Sequence, residues 1–270
     1  MATQTETCYR HPNRETGVAC SNCGRFICPD CMTPTPVGMR CPECSRQKTQ
    51  VRTLGSLNAA PTVMMALLIL NAVGLLATQR FGISSNGSGS QKLFYDFALD
   101  GPDVGQGHEY WRLVTSGFLH VSLVHFAFNM YLLYTLGNML EPIIGNVRFG
   151  LIYGVALLCG SFGAIAVEPL SYTVGASGAI FGLMGAAFFE LRSRGIDPFQ
   201  AGIGGLIVLN LVFSFVLSNI SIGGHIGGLI GGSLAMLAWH EADKRRLPLL
   251  GYLAMVVLAA VGVVGAIAVA

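Results

Sequence analysis

Of the 270 residues, 52% are hydrophobic and only 11% charged; an ordinary soluble domain carries roughly a quarter charged residues, so a water-soluble globule is excluded and lipid is indicated. The formal charge of +2 comes from few, scattered basic residues, which offer no face for nucleic acid. Seven of the eight cysteines fall before residue 45 and Cys159 stands alone in an apolar run, so two chemistries share the chain.

Residues Met1 to Asn13 contain no apolar run with a small-residue cleavage site, so no signal peptide is expected. That places the head, residues 1–47, on the cytosolic, reducing side, where thiols bind metal more readily than they pair. The head is polar and too short to hold itself together with an apolar core, so it needs a staple. The spacing Cys8-x2-His11-x8-Cys20-x2-Cys23-x4-Cys28-x2-Cys31-x9-Cys41-x2-Cys44 supplies eight soft ligands in four pairs. Eight ligands fill two tetrahedral zinc sites. An odd number of cysteines completed by a histidine favours metal over disulfides.

The order of these pairs resembles B-box-type zinc fingers, with Cys41 and Cys44 where that family more often has histidines. The resemblance implies crossed ligand sets: Cys8, His11, Cys28 and Cys31 around one ion, Cys20, Cys23, Cys41 and Cys44 around the other. Spacing alone also permits a sequential pairing. With every position filled by protein, both zinc ions would be structural. The head is read as a docking or regulatory module for a cytosolic partner or for the inner tail of a substrate.

Residues 48–60 read as a linker. Seven apolar segments follow: Pro61 to Thr78, Val121 to Leu140, Phe149 to Val167, Ser177 to Leu191, Ala201 to Leu217, Gly223 to Trp239 and Pro248 to Val269. The first is long enough to cross ~30 Å of hydrocarbon at 1.5 Å per residue. Between the first two lies a long interruption, Gln79 to Arg112, with a flexible Ser/Gly/Asn run at Ser84 to Ser90 and several aromatics. Lysine and arginine in short loops set orientation. With the N-terminus inside, the inner connections hold Arg46, Lys48 and Arg52, then Arg148, then Arg192 and Arg194, then Lys244, Arg245 and Arg246. The outer side holds Arg80, Lys92 and Arg112 in the long loop and none in the two short ones. The expected fold is therefore an all-α polytopic membrane protein with a cytoplasmic N-terminus and an outer C-terminus, in a bacterial plasma membrane.

Ser177 and His225 then begin their spans from the outer side at similar depth. A serine and a histidine are the minimal parts of nucleophilic catalysis, because the hydroxyl needs a base to take its proton. A histidine inside a span is expensive and points to function. Gly178 and Gly182 in one span, and Gly224, Gly228 and Gly232 in the other, have the four-residue spacing that lets helix backbones approach closely in lipid. His125 and Asn129, four apart, share one helix face and could donate to an oxyanion together with the Ser177 N–H. The acids near the spans, Glu141, Glu168, Glu190 and Glu241, offer no third catalytic member. A dyad is expected, its histidine oriented by packing, with Phe181 placed to stack against it.

These motifs resemble the rhomboid intramembrane serine proteases over Pro61 to Trp239. The resemblance rests on Trp111-Arg112, His120, His125 with Asn129, Gly175-Ala176-Ser177-Gly178, and His225 followed by Gly228 and Gly232. It implies Ser177 as nucleophile, His225 as general base, His125 and Asn129 as oxyanion helpers, and a six-helix core over residues 61–240. Residues 241–270 would add an inner loop and a seventh helix. Phe181 stands where one bacterial branch has tyrosine, which removes a hydrogen bond but keeps the ring. Trp111-Arg112 is read as shaping the outer loop, and Glu141 with Gly137 and Gly145 as a structural acidic site at the inner end of the second span. The implied reaction is hydrolysis of a peptide bond in or next to a transmembrane segment of a membrane-anchored protein, with helix-weakening residues near the outer face and a small residue at the cut.

Two other classes compete. An inactive relative that escorts membrane segments would lack the dyad, and both members are in place. A transporter would show an internal repeat with broken helices at the midplane, and no such symmetry is seen. Cys159 reads as a small packing residue, and His108 and His240 as interface residues.

Overall fold

A computed structural model describes residues 6–35, 38–46, 61–78, 88–216 and 220–270, without the side chains of 88–90. The predicted linker, Lys48, Arg52, Arg80 and the part of the polar run from Ser84 to Gly87 lie outside the described residues. The chain divides into two compact units, Met1–Ser56 and Leu57–Ala270.

The first unit is built from very short elements. Strands β1 (Glu6–Cys8) and β2 (His11–Thr16) form one antiparallel hairpin, and β3 (Thr33–Thr35) and β4 (Gly38–Arg40) form another. A 3-10 turn at Pro29–Cys31 and a helix, α1 (Pro42–Arg46), complete it. Its buried apolar cluster consists of Ile27 and six cysteines. A domain this small cannot bury enough carbon to stabilise itself, so the cysteine sulfurs carry its organisation.

The second unit is helical. The six-helix core comprises α2 (Thr62–Thr78), α6 (Leu123–Ile144), α7 (Asn146–Val167), α8 (Ser177–Ser193), α9 (Ile203–Val216) and α10 (Ile222–Lys244), with α11 (Pro248–Val269) added after it. Among the described residues, α7, α10 and α11 are long and apolar enough to cross a membrane. The segment Arg112–Phe118 joined to α6, bent by 96°, makes a fourth. At 1.5 Å per residue α8 and α9 reach only ~26 and ~21 Å, shorter than the hydrocarbon layer. The body of α8 is buried by its neighbours, and a helix surrounded by protein need not match the lipid.

Local sequence explains the helix ends. Ser122 and Ser221 cap α6 and α10, their hydroxyls accepting from the His125 and Gly224 N–H groups at 3.2 Å each. Pro248 opens α11, where a missing N–H costs nothing. Gly145, at φ +85°, ends α6. The acidic site at Glu141 has a concrete job: its two carboxylate oxygens accept the Val63 and Met64 N–H groups at 2.8 Å each, capping α2 from another helix.

The interruption between the first two spans is not a plain loop. It holds α3 (Ser88–Phe97), α4 (Gly101–Gly105) and α5 (Arg112–Thr115), and α3 starts inside the run expected to be flexible. The reason is tertiary: Phe94 is buried with Ala98 and Leu119, which outweighs the poor helix propensity of Ser and Gly. Arg112 gathers this region. Its guanidinium, 4% exposed, donates to the carbonyls of Tyr95 and Ala98 and pairs with Glu109 and Asp103. Trp111 lies half exposed.

Helix α10 packs along both α7 and α8. A side chain at Gly228 would collide with the Gly178 carbonyl oxygen, and one at Gly232 with that of Gly182. The same helix meets α7, where Gly223 faces Gly163 and Gly227 faces the Cys159 carbonyl. The α7 contribution was not foreseen, because Gly160 and Gly163 stand three apart and not four. Cys159 is half-buried there, its thiol directed at the Leu258 carbonyl of α11 at 3.8 Å.

Candidate active site

The turn before α8 sets the position of Ser177. Gly175 has φ +129°, a conformation that L side chains rarely adopt, and its N–H donates to the Ser116 carbonyl at 2.9 Å. A side chain there would also strike the His125 ring. The chain then enters α8 with Ser177 as its first residue. The first helical hydrogen bond at this end runs from the Ile180 N–H to the Ala176 carbonyl. The N–H groups of Ser177 and Gly178 therefore have no partner one turn back and sit at the positive end of the helix dipole.

His225 is the fourth residue of α10, one turn past the Ser221 cap. Its Nε2 lies 2.8 Å from Ser177 Oγ. The Phe181 ring stacks on it at 4.2 Å between centroids with planes 22° apart. The close backbone approach of α8 and α10 is what brings two short-reach side chains within hydrogen-bond distance. On the other side, His225 Nδ1 lies 2.6 Å from Ser214 Oγ of α9. Ser214 did not figure in the sequence reading. The available signal was Asn210 and Ser214, four apart in an otherwise apolar span.

His125 and Asn129 line the same cavity, of about 820 Å³, as Ser177, His225 and Ser214. Asn129 is buried, and its amide donates to the His125 carbonyl at 2.9 Å, leaving a second N–H on the same nitrogen. His125 Nδ1 has no hydrogen-bond partner among the described residues. His120, fully buried, packs edge-on to His125 with ring centroids 5.0 Å apart. His108 and His240 are not part of this assembly. His108 contacts the Tyr110 hydroxyl at 2.9 Å, and His240 contacts Glu190 at 2.7 Å.

The far end of α8 and α10 is polar in a different way. Glu190 bridges Arg194 and His240, while Arg148 grips Asp243 through two bonds of 2.6 and 2.7 Å. These contacts gather the basic connections after α6, α8 and α10 at the end opposite the dyad. A cavity of about 250 Å³ lies among them.

In the first unit the eight predicted ligands fall into two groups, Cys8, His11, Cys28 and Cys31, and Cys20, Cys23, Cys41 and Cys44. Within each group the ligand atoms all lie within 4.8 Å of one another. His11 Nδ1 is 3.8, 3.3 and 3.5 Å from the sulfurs of Cys8, Cys28 and Cys31, and the Cys23 and Cys41 sulfurs are 3.8 Å apart. The edge of a tetrahedron around an ion bound at ~2.3 Å is about 3.7 Å, so both groups are shaped to hold a metal ion. Backbone N–H groups already point at the sulfurs: Cys41 N–H to Cys20 and Cys44 N–H to Cys41, at 3.3 and 3.4 Å. The first of these bonds draws the Cys20 thiol down to about 6, whereas burial pushes Cys41 up to about 12. A cation is what would let both ionise together.

The Rhomboid domain family matches residues 107–242. Rhomboid protease GluP of Bacillus subtilis (strain 168) is 35% identical over 198 residues, covering 72% of this chain and 38% of that protein. RHOMBOID-like protein 6, mitochondrial, of Arabidopsis thaliana is 38% identical over 144 residues, 50% of this chain and 45% of its own length. Rhomboid-related protein 2 of Mus musculus is 30% identical over 155 residues, 52% and 51%. The chain thus spans about half or less of the length of these relatives.

Proposed function

Because the chain belongs to the rhomboid family of integral membrane proteins, we propose that it is an intramembrane serine endopeptidase working through a Ser177–His225 dyad. The observation that carries this reading is the 2.8 Å contact between Ser177 Oγ and His225 Nε2 inside a cavity large enough for a peptide segment. His225 takes the Ser177 proton on Nε2 as Oγ attacks a substrate carbonyl, and returns it to the leaving amine nitrogen. Water then releases the acyl group, activated by the same nitrogen. The tetrahedral oxyanion is held by the Ser177 N–H at the start of α8, the spare N–H of Asn129, and His125. Phe181 fixes the plane of the imidazole by stacking.

The substrate in this reading is a membrane-anchored protein whose transmembrane segment unwinds to expose an amide, since a helix hides its carbonyls in hydrogen bonds. Helix-weakening residues near the outer face and a small residue at the cut suit that requirement. Supporting an outer site is the separation between the dyad and the basic end made by Arg148, Arg194 and Lys244 to Arg246, which favours the inner side. The N-terminus is then cytoplasmic and the C-terminus outside, in a bacterial plasma membrane.

The two ligand groups of the head are assigned one structural zinc ion each, with no open coordination position. Thiolate-rich tetrahedral sets favour zinc over harder cations. The head's role is to dock a cytosolic partner or the inner tail of a substrate.

The dyad is tested by fluorophosphonate labelling of the purified protein. Labelling at Ser177 is expected in the parent and lost in His225→Ala. Labelling undiminished in that variant would separate Ser177 from its base, and cleavage of a membrane substrate surviving in Ser177→Ala would sink the assignment.

A further inference from the structure

We infer that Ser214 is a positioning residue for the dyad: it selects the tautomer of His225 that leaves Nε2 free to act as a base. The inference rests on the proposed Ser177–His225 chemistry and adds a residue to it. Ser214 lies on α9, is 2% exposed, and makes two contacts that together restrict where its single proton can go. Its Oγ is 2.8 Å from the Asn210 carbonyl oxygen and 2.6 Å from His225 Nδ1. A carbonyl oxygen can only accept. A helical serine bonded four residues back therefore donates there, and its lone pair is turned toward the imidazole.

An oxygen lone pair facing Nδ1 requires that Nδ1 carry a hydrogen. The neutral ring then has its own lone pair on Nε2, 2.8 Å from Ser177 Oγ. The opposite assignment would put a hydrogen on Nε2 pointing at the nucleophile, and His225 could not take the Ser177 proton. The choice matters because an imidazole left to itself prefers to carry its hydrogen on Nε2. Stacking on Phe181 fixes the ring plane but is indifferent to which nitrogen is protonated. Among the described residues nothing acidic touches Nδ1, so a hydroxyl stands where serine hydrolases of other folds place a carboxylate.

The proton balance stays within the dyad. Oγ of Ser177 loses its proton to Nε2 as the carbon–oxygen bond forms, and the ring becomes an imidazolium that keeps its Nδ1–H on Ser214. The proton on Nε2 then passes to the leaving nitrogen as the peptide bond breaks. Ser214 gains and loses no proton.

The test uses the full-length protein in proteoliposomes with a single-pass membrane substrate. In Ser214→Ala, kcat should fall by about 10- to 100-fold, the worth of a hydrogen bond to a charged group, with KM changed by less than about twofold. Ser214→Thr, which keeps the hydroxyl, should restore most of the loss. Nitrogen-15 NMR of the His225 ring should show Nδ1 protonated and Nε2 bare in the parent and in Ser214→Thr, and a shift toward the Nε2-protonated form in Ser214→Ala. An unchanged kcat in Ser214→Ala, or a parent ring protonated at Nε2, overturns the inference. A parent that neither cleaves nor labels at Ser177 defeats the proposed activity instead, while the parent NMR spectrum still decides the tautomer.

Discussion

The two units reach order by opposite means. In the head, the buried cluster is six cysteines and Ile27, and the elements around it are strands of three to six residues. In the membrane unit, the tightest contacts are made where side chains are missing: Gly228 against Gly178, Gly232 against Gly182, Gly223 against Gly163. Water explains the contrast. A short polar chain in water gains too little from burial and needs ligand bonds. Helices in lipid gain nothing by hiding carbon from carbon, so close backbone packing and a few hydrogen bonds decide their arrangement. The 2.8 Å contact between Ser177 and His225 is a by-product of the second strategy, because glycine lets α8 and α10 come near enough for the two side chains to meet.

That contrast can be broken or sharpened by experiment. The largest effect is expected from exhaustive chelation of the full chain. Zinc binding in small domains is worth about 10–16 kcal/mol, so the head should become protease-sensitive while fluorophosphonate labelling of Ser177 persists. Metal analysis should give two zinc ions per chain, and markedly fewer would remove the staple from the account. Next, Ser177→Ala should lower cleavage by about 10⁴-fold or more, measured on a reconstituted membrane substrate, with no change in the head's metal content.

A steric probe comes third. Gly228→Leu forces α10 away from α8 and should destabilise the membrane unit by about 3 kcal/mol or more, read as a lower thermal midpoint together with lost labelling. A labelled, stable Gly228→Leu protein would show that backbone contact is not what sets the dyad. Asn129→Ala should cost about 100-fold in kcat with little change in KM, the range seen for removing one oxyanion donor. Last, Glu141→Gln weakens a charge-assisted cap on α2 and should lower stability by about 1.5–3 kcal/mol. Activity at low temperature should be retained.

How far the sequence could be read depended on the range of the cause. The seven apolar segments all appear as helices, because apolar length and caps such as Ser122 and Pro248 act within a few residues. The helices within Gln79 to Arg112 were missed, since α3 is held by Phe94 packing on distant partners and not by its Ser/Gly start. Gly178, Gly182 and Gly228 were legible by their spacing, whereas the role of α7 in the same contact was not. His125, Asn129, Ser177 and His225 were legible as residue types at helix starts. Ser214 was not, because a serine in an apolar span gives no sign of which helix it faces.

By itself, the sequence determined the membrane-spanning class, the seven apolar helices, and the serine, histidine, asparagine and cysteine positions on which the proposed chemistry rests. Each follows from residue type and short-range spacing. Tertiary structure alone decided which ligands share a group in the head, that Glu141 caps a helix nearly eighty residues away in sequence, and that Ser214 backs His225. Those are contacts between distant segments, and they exist only once α8, α9 and α10 are packed and the two hairpins of the head have folded together.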